Sequence, residues 1–218
     1  MTEPMTTLTD YLLAVVCVTL AVFLLKIWSV RRDRAVLFWS FALLATAFAA
    51  LLGGTFHGFG RSLTPSGARL LWLGTTWSIG LASFALMTGS LFGAVRPPMR
   101  SWFITIAACK LLLYLVWMIG HEEFIYPIID YGSSMIVVLV LCIIRWNEPA
   151  FRWIAAGILT AFGASGVQQA HLGFGPAFDH NAVYHIIQML AVWLLYRGAR
   201  LLSDRHALSP LPAGEGGT

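Results

Sequence analysis

The sequence predicts an all-α fold, a seven-transmembrane helix bundle, and three observations support this prediction. The chain of 218 residues is 58% hydrophobic and only 11% charged, whereas a soluble domain carries roughly 25% charged residues. Seven apolar segments are long enough to cross a bilayer, which takes ~20 residues in a helix. Short segments rich in Gly, Pro and charged residues separate them, as is typical of tight connections.

The predicted spans follow one another closely and leave a short polar segment at the end. They lie at residues 10–29, 35–57, 68–94, 101–119, 124–145, 151–172 and 181–202. We therefore expect one membrane domain over residues 1–203. The remaining segment, rich in Gly and Pro, predicts a disordered cytoplasmic tail over 204–218. The first span is not expected to be a signal peptide, because the region that leads into it carries the acidic residues Glu3 and Asp10 and no basic residue.

The basic residues are distributed unevenly between the two ends of the spans, and this predicts the orientation. Only Arg61 and Arg69 lie at one end. Eleven others lie at the opposite end: Lys26, Arg31, Arg32, Arg34, Arg96, Arg100, Arg145, Arg152, Arg197, Arg200 and Arg205. Because cytoplasmic loops carry the excess of Lys and Arg, we expect the N-terminus outside and the C-terminus in the cytoplasm. The expected location is the inner (plasma) membrane of a bacterium.

The net charge of +4 follows this topology and gives no indication of nucleic-acid binding. The expected partner is membrane lipid, and the oligomeric state stays open. The cysteines, Cys17, Cys109 and Cys142, lie in apolar segments without paired spacing, so we expect free thiols inside the bundle.

Five of the six histidines lie near the outer ends of the spans, and only His206 lies in the tail. The five are His57, His121, His171, His180 and His185. Neutral imidazoles are the commonest metal ligands, and a catalytic zinc ion takes three protein ligands and a water. We predict a zinc site formed by His57, His185 and one of His180 or His171.

The start of the seventh span carries a polar stripe. Asn181, His185 and Gln188 are spaced i, i+4 and i+7, so they share one helical face. Polar side chains facing lipid are costly, so this face should point into the bundle. Asp179 or Asn181 is a good N-cap, and Asp179 is also our candidate for orienting an imidazole.

Two other features predict contacts between helices. Gly54-x-x-x-Gly58 is a small-residue pattern that permits close helix approach beside His57. Lys110 and Asp130 lie inside neighbouring predicted spans, where an ion pair would reduce the cost of inserting both charges. The alternative role of Asp130 is as a base or ligand orienter at the outer site.

The seven spans, with a histidine ending the second and histidines opening the seventh, resemble the CREST superfamily of membrane hydrolases, which includes alkaline ceramidases and adiponectin receptors. The resemblance covers residues 10–202. In that family a zinc ion is held by one histidine of span two and a His-x-x-x-His pair of span seven. The resemblance implies His57 and His185 as ligands, with Asn181 at the middle position and His180 beside it.

The chain departs from that family at two points. Gly53 stands where the family has a serine, and span three carries no acidic residue where the family has an aspartate. By the same resemblance, Asp130 or Asp179 would take the place of that aspartate as a catalytic residue.

Three functional hypotheses follow. The leading one is a zinc-dependent hydrolase of a lipid amide or ester, acting at the outer leaflet. The second is a non-catalytic membrane protein in which the histidines bind a metal structurally or only hydrogen-bond to one another. The third is a small transporter or sensor with Lys110 and Asp130 along its path.

Overall fold

The computed structural model describes residues 2–175 and 178–205, and within them the chain forms seven α-helices and no strand. The all-α prediction is therefore confirmed. The helices are α1 (Pro4–Arg31), α2 (Arg34–Phe59), α3 (Pro65–Ala94), α4 (Met99–Gly120), α5 (Ile125–Ile144), α6 (Pro149–Gln169) and α7 (His180–Ala199). A short 3-10 turn at Gly60–Ser62 follows α2.

In the described part of the chain, six of the helices, α1 to α6, are long and apolar enough to cross a membrane. The protein is accordingly an integral membrane protein. The remaining helix, α7, has 20 residues, but its first half carries Asn181, His185 and Gln188. These polar residues make α7 less apolar than the others, so that its role as a seventh span stays a prediction.

Six helices form a closed ring in the order α1, α2, α3, α5, α6 and α7, with α7 returning to pack against α1. Helix α4 lies outside this ring and packs mainly against α3. Because the helices run alternately up and down, α1, α3, α5 and α7 begin at the same end at which α2, α4 and α6 finish. We call this end the histidine end, because the five described histidines lie there.

The opposite end of the bundle is closed by the segment that follows α7. The Asp204 carboxylate accepts hydrogen bonds from the backbone N–H groups of Arg34 (2.9 Å) and Ala35 (2.7 Å), which caps the start of α2. The backbone N–H of Arg205 donates to the Phe92 carbonyl. Asp204 and Arg205 thus belong to the folded domain, two residues beyond the predicted boundary. The rest of the predicted tail, with His206, lies outside the described residues.

The cysteine prediction holds at two of three positions. Cys17 and Cys142 are buried and free, whereas Cys109 is exposed on α4. The prediction that all three lie inside the bundle is therefore wrong for Cys109, because α4 packs on the ring with only one side.

The predicted glycine contact brings α1 against α2. A Cβ atom at Gly54 would lie 2.7 Å from Cβ of Asp10, and one at Gly58 would lie 2.9 Å from the Thr7 hydroxyl. Real Cβ atoms do not approach other atoms so closely, so both positions require glycine at this helix spacing. The contact fixes Asp10 against the inner face of α2.

We expect Gly54→Ala to lower stability by about 1–3 kcal/mol, the usual cost of overpacking. The added methyl group must push α1 away, because its nearest contact is the first atom of the Asp10 side chain. Gly53→Ala is the matched control, since its new Cβ meets only Thr75 at an ordinary 3.5 Å. Thermal unfolding in detergent measures both variants, and equal melting temperatures would contradict the close contact.

Candidate functional site

A cavity of about 430 Å³ lies inside the ring towards the histidine end. All six ring helices contribute to its wall, and α4 does not. Much of the wall is apolar, and the side formed by α2 is lined by small residues, Ala49, Ala50 and Gly53. The volume lies within the ~300–1,000 Å³ typical of ligand pockets. The small residues of α2 leave the space that larger side chains would fill.

The polar part of the wall is centred on a buried acid–imidazole pair. Asp10 Oδ1 of α1 lies 3.1 Å from His185 Nε2 of α7. The two residues are only 5% and 7% exposed, and both line the cavity. The second ring nitrogen, His185 Nδ1, lies 3.1 Å from the Thr9 hydroxyl oxygen. Both nitrogens of His185 therefore have partners on α1.

The hydrogen bonds of Thr9 favour the tautomer of the neutral ring in which Nδ1 carries the proton. The Thr9 hydroxyl donates to the backbone carbonyl of Met5 (2.9 Å) or of Thr6 (3.0 Å). A hydroxyl has only one proton to donate, so its oxygen accepts from His185 Nδ1–H. Nε2 is then the nitrogen that exchanges a proton with Asp10 or with a molecule in the cavity.

His57 lines the same cavity and makes a second acid–imidazole contact. Its Nδ1 lies 2.9 Å from Glu3 Oε2, at the start of α1. His57 is less buried than His185 and lies near the end of α2. Two of the four predicted metal ligands, His57 and His185, therefore line one cavity, but each is already paired with a carboxylate of α1.

The other two predicted ligands form a pair of their own. The rings of His171 and His180 meet edge to face with their centroids 4.6 Å apart. Neither is among the described residues that line the cavity. His180 is the first residue of α7 and does not turn towards His185 as expected, because the helix start directs it to the connection after α6.

The arrangement bears directly on the zinc prediction. Within the described residues, no group of three or more His, Cys, Asp or Glu side chains lies close enough together to hold a metal ion. The predicted set of three histidine ligands is not assembled. Zinc binding stays a prediction, and no step of the chemistry below depends on it.

The predicted polar face of α7 does point into the bundle. Asn181, His185 and Gln188 all line the cavity, and the amide nitrogen of Gln168 donates to Asn181 Oδ1 at 2.9 Å. Of the two predicted N-cap candidates, Asp179 is the N-cap of α7, and it accepts from the backbone N–H of Ala182 at 2.8 Å.

Asp179 has a further contact, and it is not with an imidazole. It accepts from the Thr6 hydroxyl at 3.0 and 3.1 Å, which ties the start of α7 to α1. The structure therefore places Asp179 at a junction between helices. Its predicted role as an orienter of an imidazole or as another catalytic residue stays a prediction.

The predicted ion pair between Lys110 and Asp130 is confirmed. Lys110 Nζ lies 2.9 Å from Asp130 Oδ1 and also donates to the Asp130 carbonyl and the Ser134 hydroxyl. The pair joins α4 to α5 and does not lie among the described residues that line the cavity. This position gives no support to a catalytic role of Asp130 in the cavity.

The acidic side of the site was not predicted from the sequence. Glu3, Thr6, Thr9 and Asp10 lie on one side of the start of α1, and we call them the α1 polar stripe. Each contacts a residue of α2, or of α7 and its N-cap. The spacing of Glu3, Thr6 and Asp10, i, i+3 and i+7, was the available signal, since it marks one helical face.

Comparison with known proteins identifies the family. A family model described as a family of unknown function, DUF6962, matches residues 5–204. The chain belongs to the DUF6962 family. Neither the curated proteins nor the solved structures contain a match to it. The DUF6962 match includes all seven helices apart from Pro4, the first residue of α1, and every described cavity-lining residue, and Glu3 alone of the α1 polar stripe precedes it.

Proposed function

We propose that this DUF6962 protein is an integral-membrane hydrolase that cleaves a lipid amide or ester in the cavity at the histidine end. The observation that carries the proposal is the Asp10–His185 pair in the wall of a largely apolar cavity of about 430 Å³. The apolar wall suits an acyl chain, and the pair supplies proton transfer. An imidazole oriented by one neighbour and paired with a carboxylate is a common general base.

The reaction requires one proton to move twice. His185 Nε2 takes a proton from water while the water oxygen bonds to the acyl carbon. Asp10, whose Oδ1 lies 3.1 Å from the same nitrogen, stabilises the imidazolium that forms, and Thr9 keeps the other nitrogen, Nδ1, in its N–H form. The C–N or C–O bond then breaks, and the leaving amine or alcohol takes the proton back from His185. The products are a fatty acid and the amine or alcohol.

The orientation of the bundle belongs to the same proposal. Eleven of the fourteen Lys and Arg residues lie at the end opposite the histidine end, so by the positive-inside rule the cavity would lie towards the outer leaflet. The N-terminus would then be outside and the membrane would be the inner membrane of a bacterium.

A second candidate function is a non-catalytic lipid-binding protein. It is favoured by the observation that both ring nitrogens of His185 already have protein partners. In that case the Asp10–His185 contact would only join α1 to α7. Saturable binding of lipid without release of fatty acid would support this candidate over the hydrolase.

Filling the cavity tests the proposal. Gly132 lines the cavity, and a Cβ atom built there meets nothing within 4 Å. Gly132→Leu should lower fatty-acid release from lipid amides or esters by about tenfold or more, because it displaces two or more methylenes of the substrate. Fatty acid released from lipid nanodiscs is measured by mass spectrometry.

Gly163→Leu is the matched control. Gly163 is also a helical glycine with no neighbour within 4 Å, but it is exposed on α6 and does not line the cavity. Both changes replace glycine in a helix, so both should leave stability unchanged or higher. Equal turnover by the two variants would show that the reaction takes place elsewhere.

A further inference from the structure

The ring of helices is not packed equally tightly all the way round. Neighbouring helices such as α1 and α2, or α6 and α7, contact one another along much of their length. The contact between α5 and α6 is the least extensive of any neighbouring pair in the ring. The seam between α5 and α6 is therefore the least tightly packed part of the cavity wall.

The cavity opens at this seam. Among the residues that the structure describes, three both line the cavity and are exposed at the protein surface: Phe124 (38%), Ile128 (37%) and Gln169. Phe124 and Ile128 lie at the start of α5, and Gln169 is the last residue of α6. Ile128 and Gln169 therefore lie at the histidine end of the same seam, whereas the ring of Phe124 packs against Trp72 of α3, with centroids 5.7 Å apart. Gly132 lies one helical turn after Ile128 on α5, and a side chain there would meet open space.

The surface around this opening is apolar. Ile129, Ile136 and Leu159 are all more than half exposed and flank the seam on α5 and α6. Both helices are long and apolar enough to cross a membrane. The opening thus faces hydrocarbon along the seam, while Gln168 and Gln169 supply polar groups at its end.

We propose that the α5–α6 seam is a lateral portal through which the acyl chain of a lipid in the adjoining leaflet enters the cavity. The chain passes between Ile128 and the end of α6, and the polar part of the lipid stays beside Gln168 and Gln169 until it meets the Asp10–His185 pair. This inference shares with the proposed function the lipid nature of the ligand, but it does not require hydrolysis.

Narrowing the portal tests it. Ile128→Trp should slow loading of the cavity about tenfold and change the final amount bound much less, because Ile128 belongs to the exposed rim of the cavity wall. The probe is a monoacylglycerol that carries a photoactivatable diazirine in its acyl chain and is supplied in nanodiscs. Loading is measured over time as the amount of probe that crosslinks to the protein and is displaced by an excess of unlabelled monoacylglycerol. Ile129→Trp is the control, because Ile129 is adjacent, 60% exposed and not part of the cavity wall.

A second variant probes the opposite edge. Gln169→Trp should slow loading in the same way, and Gly132→Leu should instead lower the final amount bound. Crosslinks should map to the cavity-lining residues of α5 and α6. An unchanged loading rate in both Ile128→Trp and Gln169→Trp would overturn the portal. Competitor-sensitive crosslinks confined to another seam would also overturn it. Normal loading with no release of fatty acid would support the portal and overturn the proposed hydrolase.

Discussion

Lys110→Met is expected to lower the free energy of unfolding by about 3 kcal/mol, the lower end of the cost of breaking a buried ion pair. Asp130 is only 6% exposed, so the variant would retain an unpaired carboxylate between helices. Little apolar packing can compensate, because only three residues of α4 are buried. The ammonium of Lys110 donates hydrogen bonds to α5 and to Ser83 of α3, and these bonds attach α4 to the ring.

A double-mutant cycle measures this contribution in detergent. Asp130→Asn alone should also destabilise, and the double variant should lose less than the sum of the two single losses, by ~0.5–3 kcal/mol. Cys109→Ser, one residue away on the exposed face of α4, should leave the melting temperature unchanged. Strictly additive losses would show that the two charges do not stabilise each other.

His185→Gln is expected to lower fatty-acid release by ~10²–10⁴-fold, the usual contribution of a general base. A glutamine amide can still donate a hydrogen bond to Asp10, so the contact between α1 and α7 is kept. It cannot take a proton from water, so catalysis is lost while the fold remains. Mass spectrometry measures turnover, and thermal unfolding of the same sample reports the fold.

His121→Gln is the control for that variant. His121 follows α4 at the same end of the bundle, but its ring stacks on Trp117 with centroids 3.9 Å apart and it does not line the cavity. Turnover by His121→Gln should equal that of the wild type. If His185→Gln also retains wild-type turnover, His185 is not the base.

The zinc prediction can be decided on the same preparations. Elemental analysis of protein purified without added metal should find zinc in the wild type and in His121→Gln, and none in His57→Ala or His185→Ala, if those histidines are ligands. Turnover by metal-free protein would instead assign proton transfer to the Asp10–His185 pair alone.

The sequence by itself determined the features that depend on neighbouring residues along the chain. Apolar length and turn composition predicted the seven helices, because a span must satisfy its backbone polar groups internally. Helical spacing predicted the inward face of Asn181, His185 and Gln188, since lipid cannot solvate it. The close approach at Gly54 and the cap by Asp179 are also local in origin.

The Lys110–Asp130 pair was predictable for a different reason. Two opposite charges within adjacent apolar spans have few other ways to lower their insertion cost. The pairing could therefore be predicted from the cost of inserting two charges into the membrane, without knowledge of how the remaining helices are arranged.

Only the tertiary structure decided which residues share the site. Closure of the ring places α1 between α2 and α7, so Glu3 meets His57 and Asp10 meets His185. Nothing along the chain indicates which helix lies beside which across such distances. For the same reason, the sequence does not indicate that His171 and His180 pair away from the cavity, or that α5 and α6 pack less extensively than the other neighbouring helices of the ring.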